Sequence, residues 1–317
     1  MFPPRSVIDN MHGLSGGVSV RRLVPENYFF SKDGSRCMNR ALENHEFTID
    51  SHRGAFKGGL LENSIPAFEE ALKEDANMLE CDIRGTRDGN IALVHNKTID
   101  HITKHATSIP PESEFHELPV GKVNDHTMSF LKAIKFEHGA SILSLDEFLA
   151  FLHDHHVGAQ IELKEFHFNA RIVEAAKQAD IDHETLKAPV VFSSFNPFAV
   201  ISLRKAFVRA GLPLYDHFAG KKGYGFALQA IPLGSFAGKW VLRRCKKHKI
   251  WGFTTHYKYL PASRIGYAHE CGVKFCPRIP DDEQLAIDYI NADVDGFETD
   301  NVPFIKRCIV KAGYSFP

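Results

Sequence analysis

A chain of 317 residues, 44% of them apolar, with a formal charge of −1 can bury one large α/β domain and has no excess of positive charge for a nucleic-acid surface. No run approaches the length needed to cross a bilayer, and the first seventeen residues lack the apolar region of a secretory signal. A cytoplasmic protein is therefore expected, with export by another route left open. Six cysteines without a C-x-x-C pair fit reduced, mostly buried thiols better than a disulfide framework or a zinc site.

Residues 1–46 read as an N-terminal extension, in which Val24 and Tyr28-Phe29-Phe30 are the residues able to dock on a core. FTI at 47–49 is β-branched and aromatic, the start of a strand that delivers His52 and Arg53 to its C-terminal end before Gly54 releases the backbone. Asn63 or Ser64 is the expected N-cap of a helix reaching about Ala76, with Pro66 tolerated in its first turn. MLECDIR at 78–84 is the next strand. Its alternation puts Glu80 and Asp82 on one face and Leu79, Cys81 and Ile83 on the other. Two carboxylates on one face suit either a solvent-facing edge or a site that holds a cation. The turn at Asp88-Gly89 leaves no room for a crossover helix, so IALV at 91–94 should return antiparallel and set His95 opposite Asp82.

Residues 97–140, with adjacent prolines and weak periodicity, read as an insertion. Ser144 should cap a helix running through His153, and His153, His155 and His156 suit a solvated helix end better than a metal tract. QIELK at 160–164 is a strand with Glu162 and Lys164 on one face. A helix at 170–179, strands at 190–195 and 212–215, and a helix at 197–210 between those two follow. The basic, aromatic stretch 221–249 is expected to be a helix with a charged outer face, contact with an anionic membrane being the lesser alternative. Strands at 250–256, 273–277 and 294–299, and a helix at 283–291, complete an alternation that implies a single (β/α)8 TIM-type barrel over 47–317. Working residues of such a barrel sit at the C-terminal ends of its strands. Glu80, Asp82 and Glu162 would then converge as three oxygen ligands, a set that selects Mg²⁺ or Ca²⁺ over zinc.

The ordered set HRG, EN, ECDIRGTRDGNIALVH, the E-x-K of 162–164, VFSSF at 191–195 and VDGFETD at 294–300 resembles the glycerophosphodiester phosphodiesterase family across about residues 47–303. The resemblance implies a TIM barrel with metal ligands Glu80, Asp82 and Glu162, and hydrolysis of a small phosphodiester to an alcohol and a phosphomonoester. His52 and His95 would exchange protons, and Arg53 and Lys164 would add positive charge at the phosphate. Alternatives are phospholipase D-like action on lysophospholipids, a sugar phosphodiester as substrate, or a catalytically weak barrel that binds phosphodiesters. Peripheral membrane contact stays open. Two positions depart from the family's pattern. Asn96 follows the second histidine where Asp is usual, and the late Trp-Thr pair is replaced around 275–278. There Phe275 would keep an aromatic wall, and Arg278 points to a more anionic or more hydroxylated substrate.

Overall fold

The computed structural model describes residues 18–22, 45–182, 188–214, 223–229, 243, 245, 247–250, 252–254, 257, 261–270, 274–279 and 281–315. Among these the strands are β1 (Val18–Arg22), β2 (His45–Ser51), β3 (Met78–Gly85), β4 (Ile91–Leu93), β5 (Ala106–Ser108), β6 (Lys135–Phe136), β7 (Gly158–Leu163), β8 (Val190–Ser194), β9 (Tyr224–Gln229), β10 (Gly252–Thr254), β11 (Lys274–Phe275), β12 (Gly296–Thr299) and β13 (Tyr314–Ser315). β2, β3 and β7 to β11 pair in parallel in that order, and β12 lies parallel on the other side of β2. The ring closes between β11 and β12. Arg278 and Glu298 form a parallel bridge there, and the amides of Asp295 and Glu298 donate to the carbonyls of Phe275 (3.2 Å) and Pro277 (3.1 Å). An eight-stranded α/β barrel results, with neighbours in chain order as short right-handed crossovers require.

Alternation along each strand divides the core. Leu79, Cys81, Ile83, Ile161, Phe192 and Phe226 face the helices and join the main apolar cluster. Residues of the opposite parity face the barrel axis. Met78, Val191 and Ala227 form a small apolar floor. Asp50, Glu80, Asp82, Gln160, Glu162, Ser193, Gln229 and Glu298 are buried as well. Buried polar groups at this density need partners, and the site described below supplies them.

Local signals account for the helix boundaries. Helix Leu145–His155 begins with a capping box, in which Ser144 Oγ accepts from Glu147 N (3.3 Å) and Glu147 accepts from Ser144 N (2.9 Å). Helix Pro197–Ala210 starts on Asn196, whose Oδ1 accepts from Phe198 N, and stops at Gly211 with φ 71°. Helix Ile65–Lys73 is shorter than its sequence predicts. Ser64 is its N-cap residue but makes no capping bond, because its hydroxyl donates to the Leu61 carbonyl (2.6 Å), and Asn63 is engaged elsewhere. His153 is buried rather than solvated, and His155 and His156 are exposed.

Of the strand expected at 212–215, the described residues 212–214 form none. Leu214 makes only an isolated bridge to Tyr224, and the barrel strand is instead Tyr224–Gln229, inside the stretch expected to be helical. Its six residues are all buried, so the run lacks the polar-apolar alternation that identifies a strand with one wet face. β1 pairs antiparallel with the N-terminal half of β2 (Val18↔Phe47) and with β13 (Arg22↔Tyr314). Val24, Tyr28-Phe29-Phe30, Cys37, Cys271 and His256 lie outside the described residues.

Residues 97–140 carry their own apolar cluster, with Ile99, Phe130, Leu131 and Ile134 packed against Ala92, Val94 and Ile142. A buried polar knot fixes it to the β3–β4 turn: Glu117 pairs with Arg87 and accepts from Thr127 N (3.3 Å), and His126 Nδ1 lies 3.3 Å away. Among the described residues no helix is long and apolar enough to cross a membrane.

Candidate active site

The turn after β2 is tied on both sides to its neighbouring strands. His52 N donates to the Thr299 carbonyl (2.9 Å) and Arg53 N to Glu80 Oε2 (3.1 Å), which ties the turn to β12 and β3. Arg53 and Gly54 both take left-handed φ, 58° and 78°. A Cβ on Gly54 would stand 2.7 to 2.9 Å from atoms of Ala67 at the base of the next helix. Gly54→Ala is therefore expected to lower stability by about 1–3 kcal/mol through backbone strain and overpacking. A denaturant midpoint equal to wild type would contradict this.

Strand register places the acids. Asp82 sits directly across from Glu162 on β7, and Glu80 across from Gln160. Carboxylate oxygens of Glu80, Asp82 and Glu162 lie within 4.8 Å of one another, all three buried. Burial and the charges of Asp82, Glu298 and Glu162 push Glu80 well above its ordinary range. Glu162 is raised too, by burial and by Asp82, with Lys164 opposing. Glu80 Oε1 is buried with no hydrogen-bond donor among the described residues. An orphaned carboxylate oxygen beside two further buried carboxylates is the donor set of a hard-cation site.

Two cations flank the acids. Lys164 Nζ lies 3.0 Å from Asp82 Oδ1 and 2.5 Å from Glu162 Oε1. Arg53 Nε lies 3.0 Å from Asp82 Oδ2, and its Nη1 donates to Glu62 Oε2 (3.0 Å). Each side chain is held by two carboxylates, because buried acids draw the nearest cations. Burial raises Glu62, but the His101 hydrogen bond and Arg53 outweigh it and hold the carboxyl at about 2. Asn63 spans Asp82, accepting from its amide at 3.2 Å and donating to Oδ2 at 3.3 Å. Its role is thus to orient a carboxylate, not to cap the helix.

The imidazoles have different surroundings. His52 is buried, with Nδ1 2.6 Å from Asp300 Oδ1 and Nε2 2.9 Å from Arg278 Nη1. A guanidinium can only donate, so Nε2 accepts and Nδ1 carries the proton toward Asp300. Burial raises Asp300, but the bond to His52 and the nearby Arg278 charge bring it to about 2. His95 is half-buried. Its Nδ1 lies 2.7 Å from Asn96 Oδ1, and its carbonyl accepts two bonds from Arg84 (3.0 and 2.9 Å). Burial lowers its pKa; Asp82 opposes this, while Lys164 and Arg53 add to it. The register differs by one residue from the sequence expectation. Ile83 pairs with Leu93 and Val94 N donates to the Asp82 carbonyl, so Val94, not His95, stands opposite Asp82.

Sequence reasoning gave no role to Glu62, Asp300 or to the deeper acids Asp50 and Glu298, although EN and TD stood in the quoted motifs. Glu298 accepts from Gln160 (3.0 Å). Burial and the Glu298 charge raise Asp50 well above its ordinary range. Phe275 supplies no aromatic wall. It is fully buried on the outer side of β11, its ring centroid 6.4 Å from that of Tyr289.

Fold and site together define a (β/α)8 barrel with an acidic centre and two imidazoles at its C-terminal mouth. Residues 52–211, half of the chain, match the model of the glycerophosphoryl diester phosphodiesterase family, and the chain belongs to that family. A "Probable glycerophosphodiester phosphodiesterase 1" of Mycobacterium tuberculosis is 29% identical over 53% of this chain and 63% of its own length. A glycerophosphodiester phosphodiesterase of Bacillus altitudinis is 31% identical over 47% of this chain and 58% of its own. The chain thus spans less than two thirds of these two relatives. An Oleispira antarctica phosphodiesterase solved with its product sn-glycerol-3-phosphate superposes with a TM-score of 0.64 at 18% identity, covering 83% of this chain and 96% of the other. That likeness establishes the barrel.

Proposed function

We propose that the protein is a metal-dependent phosphoric diester hydrolase that cleaves a glycerophosphodiester to an alcohol and a phosphomonoester of the sn-glycerol 3-phosphate type. The observation that carries the reading is the convergence of Glu80, Asp82 and Glu162 beside two imidazoles at one barrel mouth. The three carboxylates would hold one Mg²⁺ or Ca²⁺, which supplies Lewis-acid stabilisation of the negative charge that builds on a phosphoryl oxygen. Lys164 and Arg53 orient the carboxylates and would add positive charge at the phosphate oxygens of the substrate. His52 and His95 divide the proton work, one accepting from the nucleophile and the other donating to the leaving alcohol. Asp300 and Asn96 fix their tautomers, leaving Nε2 of each ring for the reaction.

A second reading, action on lysophospholipids, is favoured by Phe166, Phe195 and Phe198. These rings are exposed in the segments that follow β7 and β8, on the mouth side of the barrel. Assaying the purified protein with divalent metal on glycerophosphocholine, glycerophosphoethanolamine, glycerophosphoinositol and lysophosphatidylcholine, with detection of the phosphomonoester, tests both. Glycerophosphodiesters are expected to turn over faster. Release of phosphomonoester from none of them would remove the proposal.

A further inference from the structure

Arg278 lies in the segment that follows β11 and is 226 residues distant in sequence from His52, yet its Nη1 is 2.9 Å from His52 Nε2. Its Nη2 lies 3.4 and 3.2 Å from the two Asp300 oxygens, and Nε lies 4.0 Å from Glu298. Its surroundings differ from those of the other two cations at the mouth. Arg53 and Lys164 each lie within 3.0 Å of two carboxylates, and their side chains are 15% and 13% exposed. The Arg278 side chain is 38% exposed and, among the described residues, shares its nearest carboxylate, Asp300, with His52. A guanidinium that spends one N–H on a neutral imidazole gains by exchanging it for an ionised phosphate oxygen, because both partners of the new bond then carry charge.

We propose that Arg278 is a further phosphate-binding residue, clamping a non-bridging oxygen of the substrate's reacting phosphoryl group. This rests on the function proposed above. The geometry is selective. To exchange a proton, His52 Nε2 must come within hydrogen-bond reach of a substrate oxygen. Nη1 is one hydrogen-bond length from that nitrogen, so the neighbouring oxygen of the same phosphoryl group falls within its reach. Arginine presents its donors in a rigid fork, so Nη1 can turn to a phosphoryl oxygen while Nη2 keeps Asp300, an arrangement lysine cannot reproduce. The contact is therefore with the reacting phosphate and not with the departing headgroup. Asp300 serves both partners, holding His52 by Nδ1 and the guanidinium by Nη2. Substrate arrival has only to take over the Nη1–Nε2 contact while the Asp300 bonds persist.

Arg278→Gln and Arg278→Lys, each checked for a wild-type thermal midpoint, test this by two measurements. The first is KM and kcat on a glycerophosphodiester. The second is calorimetric binding of inorganic phosphate and of sn-glycerol 3-phosphate in the presence of Mg²⁺. Arg278→Gln is expected to weaken both phosphate ligands and raise KM by about tenfold or more, the usual scale for a hydrogen bond to an ionised group. Arg278→Lys should recover part of the affinity without the fork. If Arg278 only positions His52, both variants will bind phosphate as wild type does while kcat falls, and the proposal is overturned. Wild-type protein inactive on every diester yet losing phosphate affinity on substitution would sink the proposed function and leave this assignment standing.

Discussion

Chelation of divalent metal is expected to lower phosphodiester turnover by about a thousandfold or more, since Lewis-acid stabilisation contributes several kcal/mol to such transition states. Mg²⁺ or Ca²⁺ should restore it. Full turnover after exhaustive dialysis against a chelator would refute the metal assignment. Stability gives a second readout. Glu80 and Glu162 have folded pKa values raised above their unfolded ones, chiefly by burial. For such groups the favourable contribution is fully present below the unfolded carboxylate value and is lost as pH rises through the raised one. Without metal, these acids should thus weaken the fold as the pH approaches neutrality from below. A bound cation relieves the repulsion by binding the ionised forms, so it should raise the thermal midpoint most at neutral pH. The gain should shrink as the pH falls through the raised values of these acids and protons compete for the same oxygens. A metal-induced shift independent of pH would place the ion elsewhere. Glu80→Gln should lose metal-dependent stabilisation and activity together.

The strands that carry the site were legible because their polar residues break apolar runs in a fixed parity. Glu80 and Asp82 in β3, and Glu162 in β7, face the axis for the same reason that Leu79, Cys81 and Ile161 face the helices. β9 was not legible. YGFALQ is buried on both faces, so no parity marks it, and flanking lysines drew it into a stretch read as a helix. Turn chemistry located the β3–β4 return but not its register, which the Val94–Asp82 bond sets one residue away from the expectation. Long-range pairings explain the rest. Asp300 and Arg278 meet His52 only because β11 and β12 close the ring against β2. Nothing local to HRG announces partners more than two hundred residues downstream. Nor could composition tell that Arg53 would be claimed by Glu62 and Asp82.

His52→Ala and His95→Ala should each reduce turnover by about two orders of magnitude or more while leaving metal binding intact, because general acid–base groups contribute on that scale and the proposed ligands are all carboxylates. The folding costs should differ. His95 is half-buried, and its carbonyl, which anchors Arg84, survives substitution, so His95→Ala should change stability by no more than about 0.5 kcal/mol. His52→Ala leaves Asp300 without its imidazole and opens space beside Arg278, so a larger loss is expected there. Leaving-group chemistry separates the two roles. A diester that releases a nitrophenolate needs no proton on departure, so it should rescue the variant of the general acid and not that of the general base. Asn96 offers a check on the same pair. An uncharged carboxamide orients His95 and favours its imidazolium through one hydrogen bond alone, while burial, the larger influence, holds that pKa down. Asn96→Asp would place a carboxylate on Nδ1 and raise the His95 pKa. The limb of the pH–rate profile that reports His95 should then move to higher pH, with the other limb unmoved. Two variants equally insensitive to the leaving group, or an Asn96→Asp profile that superposes on wild type, would exclude His95 from proton transfer.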